Sequence, residues 1–367
     1  MQRVAIIGAG IGEKHLAAFA QLPELFAVET ICDLNLARAA AIAQGRAIEI
    51  TDDLPSVLSD PNIGIIDICL PPHLHFAVCK EALSAGKIVI CEKPLVGSLA
   101  EADALIAHCQ ASGMPIYPVF QYRYGIGMAQ LAWLIDQGLA GELYAGSVET
   151  HWNRDAGYYA NPWRGTWAGE QGGAILGHAI HAHDLITAIA GPVTRVFAEL
   201  TTRVNDIEVE DCAALTFKLA SGAVITSSVT LGCATDMSRI RLAFKGFTVE
   251  SDHEAYAPAA KPWRFIARQP TTQAEIDAAL LATPPADPGY VGQFKAIARD
   301  LAPGNTSNAP GPVTLADARR SLELITAIYA SARTSLPQEL PLASDHPLYA
   351  GWLSEQVGDA ERGNRTQ

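Results

Sequence analysis

The chain has 367 residues, a formal net charge of −13, and 49% hydrophobic against 18% charged side chains. That length exceeds what one hydrophobic core organises, so two domains are expected, and the apolar content excludes a disordered chain. The acidic balance speaks against nucleic acid or an anionic membrane as main partner, because both need a basic face; a local basic site can still hold a small anion.

Seven cysteines, at 32, 69, 79, 91, 109, 212 and 233, are scattered and form no CxxC pair. They read as reduced core thiols of a cytoplasmic protein. The opening "MQRVAIIGAG" lacks a signal-peptide pattern, and no run approaches the ~20 apolar residues of a membrane span.

In chain order, "RVAIIGAG" predicts a strand, "GEKHLAAFAQL" a helix, "AVETICD" a strand and "NLARAAAIAQG" a helix. "GIIDICLPP", "LHFAVCKEALSAG", "KIVICEKP", "LAEADALIAHCQASG" and "PIYPVFQYR" continue the alternation. Strands that alternate with helices, and are apolar throughout, predict a doubly wound parallel sheet of the Rossmann type over residues 1–121. From residue 122 the rhythm changes. A helix "GMAQLAWLIDQG", the run "ELYAGSVETHW", an aromatic loop (153–173) and a helix over 174–190 precede alternating runs such as "VTRVFAELTTRV" and "DCAALTFKLASGAVITSSVTL". Residues 122–336 therefore read as an α+β domain for substrate and oligomerisation, built on a large, mainly antiparallel sheet, with a closing helix over 312–334 expected to return toward the first domain. Residues 337–367 read as a C-terminal arm whose last 14 polar residues fray.

"VAIIGAGIGEKH" follows a strand and opens a helix. Gly8 and Gly10, with Ile11 and Gly12, supply the tight turn and close backbone approach that a pyrophosphate needs at a helix N-terminus. The usual third glycine position holds Glu13 and Gly12 comes one residue early, so the turn is one residue shorter than the common fingerprint; a plain βα turn accounts for the same glycines. Asp33 ends the second strand 25 residues after Gly8. There a carboxylate takes both ribose hydroxyls of NAD and repels a 2′-phosphate. No arginine follows directly, Arg38 being five residues on, so NAD is expected over NADP; an N-cap role for Asp33 is the alternative.

"IVICEKPLVG" puts Glu92, Lys93 and Pro94 at the carboxyl end of a buried strand, where open α/β sheets bind ligands. A partly desolvated lysine there suits proton transfer or a hydrogen bond to a reacting hydroxyl; a surface lysine before a turn proline is the bland alternative.

Together, "LPPHLHFAVCKEALSAGKIVICEKPL", "FQYRYG", "NPWRGTW", "GGAILGHAIHAHD" and "VEDCAALTFKLASGAV" resemble, in this order, the glucose–fructose oxidoreductase / inositol dehydrogenase (Gfo/Idh/MocA) family, over about residues 3–335. The resemblance implies that Lys93 lies at the active site and that the Lys93–Pro94 bond is often cis. It implies that Leu70, Pro71 and His75 pass beneath the nicotinamide, with Pro71 and His75 matching the family motif and Leu70 and Pro72 departing from it. It implies that Glu92 and Lys93 border the cofactor and that Trp163 and Arg164 reach back to it. Arg123 matches an arginine that opens the second domain, either as a substrate ligand or as a structural ion pair.

In the family's histidine-helix frame the catalytic histidine falls on His181 and a later aspartate on Asp184. The earlier aspartate has no counterpart, because its position is Gly177. His178 and His181 are three apart and share a helix face; His183 faces elsewhere, so three histidines make a poor metal site and no metal is expected. His183 is assigned to packing or surface and Asp184 to a polar contact within the helix. His181 serves as general acid/base, bracketing one substrate hydroxyl with Lys93 while His178 bonds a neighbouring one. In the loop, Trp152, Tyr158, Tyr159 and Trp163 offer flat faces for a sugar. His151, Asn153, Arg154 and Asp155 offer hydrogen bonds, and Arg154 leaves room for an acidic sugar; simple packing accounts for each as well.

The expected activity is hydride transfer between NAD and a secondary alcohol of a sugar, sugar derivative or cyclic polyol. The alternatives are an NAD-using glycosidase or lyase that oxidises, eliminates and re-reduces, and a non-catalytic NAD-binding sugar sensor or co-repressor. The resemblance also implies a homo-oligomer, dimer or tetramer, paired through the second-domain sheet.

Overall fold

The structure, a computed structural model, describes residues 1–304 and 311–353; the polar tail expected to fray lies outside the described residues. It forms two compact units. The first comprises Met1–Gly97, Glu101–Gln121 and the described part of Pro288–Ala318; the second comprises Ser98–Ala100, Tyr122–Asp287 and the described residues from Arg319 onward.

In the first unit, β1 (Gln2–Ile7), β2 (Phe26–Cys32), β3 (Glu49–Thr51), β4 (Ile65–Ile68), β5 (Ile88–Cys91) and β6 (Ile116–Pro118) make one sheet in the order β3-β2-β1-β4-β5-β6. All its pairs are parallel. The expected Rossmann sheet is present. Its strands carry no polar alternation because helices cover both faces: Val4, Ala5, Ile6, Ile65, Ile66, Ile68, Val89 and Ile90 are all fully buried. The strand order reverses between β1 and β4, so a crevice opens at the carboxyl ends of these two strands.

The helices of this unit are α1 (Gly12–Phe19), α2 (Leu36–Ala43), α3 (Leu54–Ser59), α4 (Pro72–Ser84) and α5 (Leu99–Ser112). A later helix joins them. The stretch 288–318, which the sequence reading gave to the second domain, belongs to the first unit. Its helix Gly289–Asp300 inserts Phe294, fully buried, face to face with Phe19 at 4.1 Å between ring centroids. On the same helix Gln293 donates to the carbonyl of Pro118 and accepts from the amide of Phe120, which satisfies the backbone where β6 ends. Amphipathic spacing announces that such a helix is half buried but does not say against which core.

The second unit follows with α6 (Ile126–Asp136), β7 (Leu143–Asn153), α7 (Trp167–Glu170) and a π-helical turn Ile175–Ala179, which leads into α8 (Ile180–Ala190). Its remaining strands are β8 (Val193–Thr201), β9 (Cys212–Leu219), β10 (Val224–Thr230), β11 (Gly232–Phe244), β12 (Phe247–Glu250), β13 (Arg264–Ala267) and β14 (Gln338–Glu339). The sheet order is β13-β12-β11-β7-β10-β9-β8-β14, antiparallel except for the β7–β10 pair. Burial alternates with period two: Ala213, Leu215, Phe217 and Leu219 are buried while Ala214, Thr216 and Lys218 are exposed. One face is covered by α8 and the other is open. Four cysteines (32, 69, 79 and 91) are buried; 109, 212 and 233 are half buried, and all seven are free thiols. Among the described residues no helix is long and apolar enough to cross a membrane.

Candidate active site

The dinucleotide turn sits at the end of β1. Gly8 has φ +102°, and a side chain there would collide with the carbonyl oxygen of Cys69 at 2.5 Å, so glycine is demanded twice over. A Cβ at Gly10 meets nothing within 4 Å, which leaves the turn's outer side open to a ligand. A Cβ on Gly12 would come within 2.8 Å of Ile6 Cγ2. Gly12 therefore does the close helix-on-strand packing of a third glycine, although it comes one residue early.

Asp33 is buried beside this turn. Its carboxylate accepts the amide of Ala9 at 2.6 Å and that of Asn35 at 2.7 Å. Burial opposes the charge, but these amides and Arg38 outweigh it and hold the carboxyl below its usual range. One ground for expecting NAD needs correction. Arg38 is not remote: its Nη2 lies 3.0 and 2.9 Å from the two oxygens of Asp33. Asn35 caps α2, so residue 38 falls in the first turn, from which a long side chain reaches back. A cation thus sits on the carboxylate, and its side chain is half exposed.

Two further segments come from β4 and β5. His75 is fully buried, with Nδ1 2.7 Å from the carbonyl oxygen of Pro94 and Nε2 2.8 Å from that of Leu70. Burial keeps the ring neutral, so one nitrogen donates at a time. The His75 side chain thus braces the Leu70–Pro71 turn against the Pro94 turn. Glu92 is likewise internal: its Oε2 accepts the amide of Lys93 at 3.0 Å. Lys93 is half buried, and the Lys93–Pro94 peptide is cis.

In the second unit the three histidines do not sit on a regular α-helix. His178 falls in the π turn and His181 and His183 in α8. All three are buried, and they face different neighbours. His181 stacks on Tyr122 at 4.6 Å between centroids. His178 meets the edge of Trp152, and its Nε2 lies 3.3 Å from the hydroxyl of Tyr158. His183 turns to the sheet, with Nε2 2.8 Å from Ser227 Oγ and its ring edge-on to Phe217; burial depresses it to about 4. His183 is a packing residue, as its offset from the other two predicts.

Asp184 departs from expectation. Its contact is not within the helix but across elements: Arg123 donates Nε and Nη2 to its two oxygens, both at 2.7 Å, and Ser321 donates at 2.8 Å. Arg123 thus makes a two-pronged ion pair with Asp184, the structural one of the two roles weighed for it.

The loop after β7 is tied down by charge. Arg164 pairs with Glu170 at 3.0 Å, lies over the rings of Tyr158 and Trp163, and donates to the Tyr158 hydroxyl. A chain of polar contacts therefore runs from Glu170 through Arg164 and Tyr158 to His178. Arg154 is answered by Asp236 at 3.1 Å and by the Tyr256 hydroxyl at 2.9 Å. Its charge is therefore balanced within the loop's own surroundings. His151 also needs correction. It bonds Ser228 Oγ at 2.9 Å, whereas Ser227, the adjacent residue of β10, points to His183 on α8. Neighbouring strand residues point to opposite faces, so His151 lies on the open face, away from the histidine helix. Asn153 has the same parity, at the exposed end of β7.

Sequence reading missed Glu210. Fully buried and just before β9, it accepts the amides of Gly173 at 3.1 Å and Ile175 at 3.0 Å and the Tyr329 hydroxyl at 3.0 Å. It anchors the start of the π turn, and a Cβ on Gly173 would collide with its carbonyl oxygen at 1.9 Å. Gly177 is the opposite case, since a Cβ there meets nothing within 4 Å. Gly177→Ala is therefore expected to stabilise the chain by about 0.5–1 kcal/mol through lost unfolded-state freedom, seen as a higher midpoint in urea. A lower midpoint would mean that the helical turn needs the glycine itself.

A family model described as "Oxidoreductase family, NAD-binding Rossmann fold" matches residues 2–119. A second, described as "GFO/IDH/MocA C-terminal domain", matches residues 128–250. The uncharacterized oxidoreductase YrbE of Bacillus subtilis is 30% identical over 60% of this chain and 64% of its own. Levoglucosan dehydrogenase of Pseudarthrobacter phenanthrenivorans is 30% identical over 54% of each chain. These matches cover less than two thirds of the relatives' length. Among solved structures, the WlbA dehydrogenase of Bordetella pertussis, in complex with NADH and UDP-GlcNAcA, superposes with a TM-score of 0.79 at 26% identity, covering 93% of this chain and 99% of that one.

Proposed function

This chain belongs to the Gfo/Idh/MocA oxidoreductase family, and from that premise we propose that it is an NAD-dependent dehydrogenase of a secondary alcohol on a sugar, sugar derivative or cyclic polyol. One observation carries the reading: the glycine turn, Asp33 and Lys93 all stand at the carboxyl ends of strands of one parallel sheet, β1, β2 and β5. Gly8, Gly10 and Gly12 and the helix behind them suit a pyrophosphate, and Asp33 suits a ribose. Relatives named for levoglucosan, or solved with UDP-GlcNAcA, support a carbohydrate substrate.

When bound, the nicotinamide supplies the hydride acceptor or donor. The chain's own residues handle the proton. Lys93 donates a hydrogen bond from Nζ to the reacting oxygen. His181 takes the hydroxyl proton at Nε2, since its Nδ1 is buried, and returns it in the reverse direction. His178, held by Tyr158, positions a neighbouring hydroxyl. The open face of the second-unit sheet, with small residues such as Ala214, Thr216 and Ser228, supports pairing between copies of the chain.

The test is a panel of monosaccharides, anhydrosugars, inositols and sugar acids with NAD, followed by NADH absorbance. No NADH formation from any of them, by a protein that binds NADH, would sink the dehydrogenase and favour the sensor, to which Gly177 in place of an aspartate also points. Sugar consumed without net NADH would favour the redox-neutral lyase.

NAD preference has its own test. Asp33→Ser removes charge-assisted bonds worth roughly 10- to 100-fold each and frees Arg38 for a 2′-phosphate. NADH affinity should fall by about that factor while NADPH affinity rises. An unchanged NADH-to-NADPH ratio in fluorescence titrations would end the claim.

A further inference from the structure

Inside the first unit, a buried imidazole sits between two carboxylates. His15 lies in the first turn of α1, three residues after Gly12, and is fully buried. Its Nδ1 is 3.0 and 2.9 Å from the two oxygens of Asp67 on β4; its Nε2 is 3.1 Å from Oε1 of Glu92, which follows β5. Asp67 is fully buried and Glu92 nearly so. The Tyr290 hydroxyl also donates to Glu92 Oε1, at 3.0 Å, and the other oxygen accepts the Lys93 amide. Cys69 Sγ completes the cluster, 3.4 Å from Nδ1.

Carboxylate oxygens only accept, so two ring nitrogens that each face an ionised carboxylate must both carry hydrogen. Burial penalises the charged ring, but Asp67 more than offsets it and holds His15 well above its ordinary value. Glu92 is in turn held by three donors, one of which is the Lys93 main chain.

We propose that His15 is a positioning residue for Lys93: its ring, hydrogen-bonded at both nitrogens, ties the helix that follows the dinucleotide turn to Asp67 and Glu92, and Glu92 fixes the backbone of Lys93. This deepens the reading of Lys93 given above and rests on it. A rival occupant exists, because donor atoms of His15, Asp67 and Cys69 lie within 4.8 Å of one another and could ligate a metal. The two readings exclude each other, since a protonated Nδ1 has no lone pair for a metal.

The test uses the full chain with NADH. Ring-nitrogen NMR, assigned by the signal lost in His15→Asn, should still find an imidazolium at neutral pH and above, where an ordinary histidine is neutral. In His15→Asn, exchange of the Lys93 amide should speed by roughly tenfold or more while that of Ile90, within β5, stays put; a general loosening of the strand would move both. With a substrate in hand, kcat should fall about 30-fold in His15→Asn and in Glu92→Gln, with NADH affinity and KM within about threefold. The double variant should be no worse than the worse single, as expected of residues acting as one unit. Tyr290→Phe, which keeps the ring packing, should repeat the effect more weakly if His15→Asn fails to fold. A neutral ring at pH 7, one bound metal per chain that Cys69→Ser abolishes, equal acceleration at Ile90, or additive losses would each overturn the proposal. Failure of every sugar to react would remove the catalytic reading of Lys93, whereas the ring and amide measurements would still decide the link.

Discussion

Lys93→Met is expected to lower kcat by about 10³- to 10⁴-fold, with NADH affinity within a few-fold of the parent. Methionine keeps most of the unbranched stem and loses the ammonium, so packing is spared and the hydrogen-bond donor to the reacting oxygen is removed. A group positioned on the reacting hydroxyl contributes ~10²–10⁴-fold, and the loss expected for Lys93→Met lies in the upper half of that range. His181→Asn should cost about 10²- to 10³-fold, because the stacking partner Tyr122 keeps the site's wall in place. If both groups serve one hydroxyl, the double variant should lose less than the product of the two losses. Lys93→Arg should not rescue, since a planar fork cannot occupy the place of a compact ammonium. Single-turnover absorbance for the chemical step and fluorescence titration for NADH check these outcomes together. Turnover near the parent's in either single variant would remove that residue from the chemistry, and a parallel collapse of NADH affinity would make Lys93 a cofactor ligand only.

What the sequence made legible follows from which physical signals are periodic. The parallel sheet was readable because strands buried on both faces carry uninterrupted apolar runs, and Gly8 and Asp33 because strand ends fix where such residues point. The offset of His183 from His178 and His181 survived the change of helix type, since two residues apart means different faces on either helix. The failures share one cause: they depend on a partner far away in sequence. His151 and Ser228 could be placed on the open face only once the β7–β10 register was known. The claim of Asp184 on Arg123 spans 61 residues, that of Glu92 on Tyr290 198 and that of Gln293 on Pro118 175. Arg38 is different. Its return to Asp33 was within reach of a capping argument, because Asn35 ahead of "LARAAA" marks a helix start.

Glu210 offers the largest expected effect on stability. Burial lifts its carboxyl from an ordinary 4.5 to about 7, against the pull of the Ile175 and Gly173 amides and the Tyr329 hydroxyl. Between those pH values the folded chain holds a proton that the unfolded chain has released. The stabilisation from this group is therefore full below about 4.5 and is lost as pH rises through about 7, a change of roughly 3 kcal/mol at ~1.4 kcal/mol per pH unit. His183 works in the opposite sense. Depressed from 6.5 to about 4, it contributes stability that is present above 6.5 and lost as pH falls through 4. The two slopes oppose each other across most of the same window, so the parent's own profile hides both. Glu210→Gln removes one and keeps the other: the amide oxygen still accepts from Gly173 and Ile175, and no proton is released. Relative to the parent, the variant should gain about 3 kcal/mol between pH 4.5 and pH 7.5, whatever its fixed offset. All six tryptophans, at 133, 152, 163, 167, 263 and 352, belong to the second unit, so their fluorescence in urea follows the unit that contains Glu210. A difference between variant and parent that stays flat with pH would mean that the buried carboxylate is ionised throughout. The three donors would then outweigh burial, and the π turn that carries His178 would stand on a permanent charge.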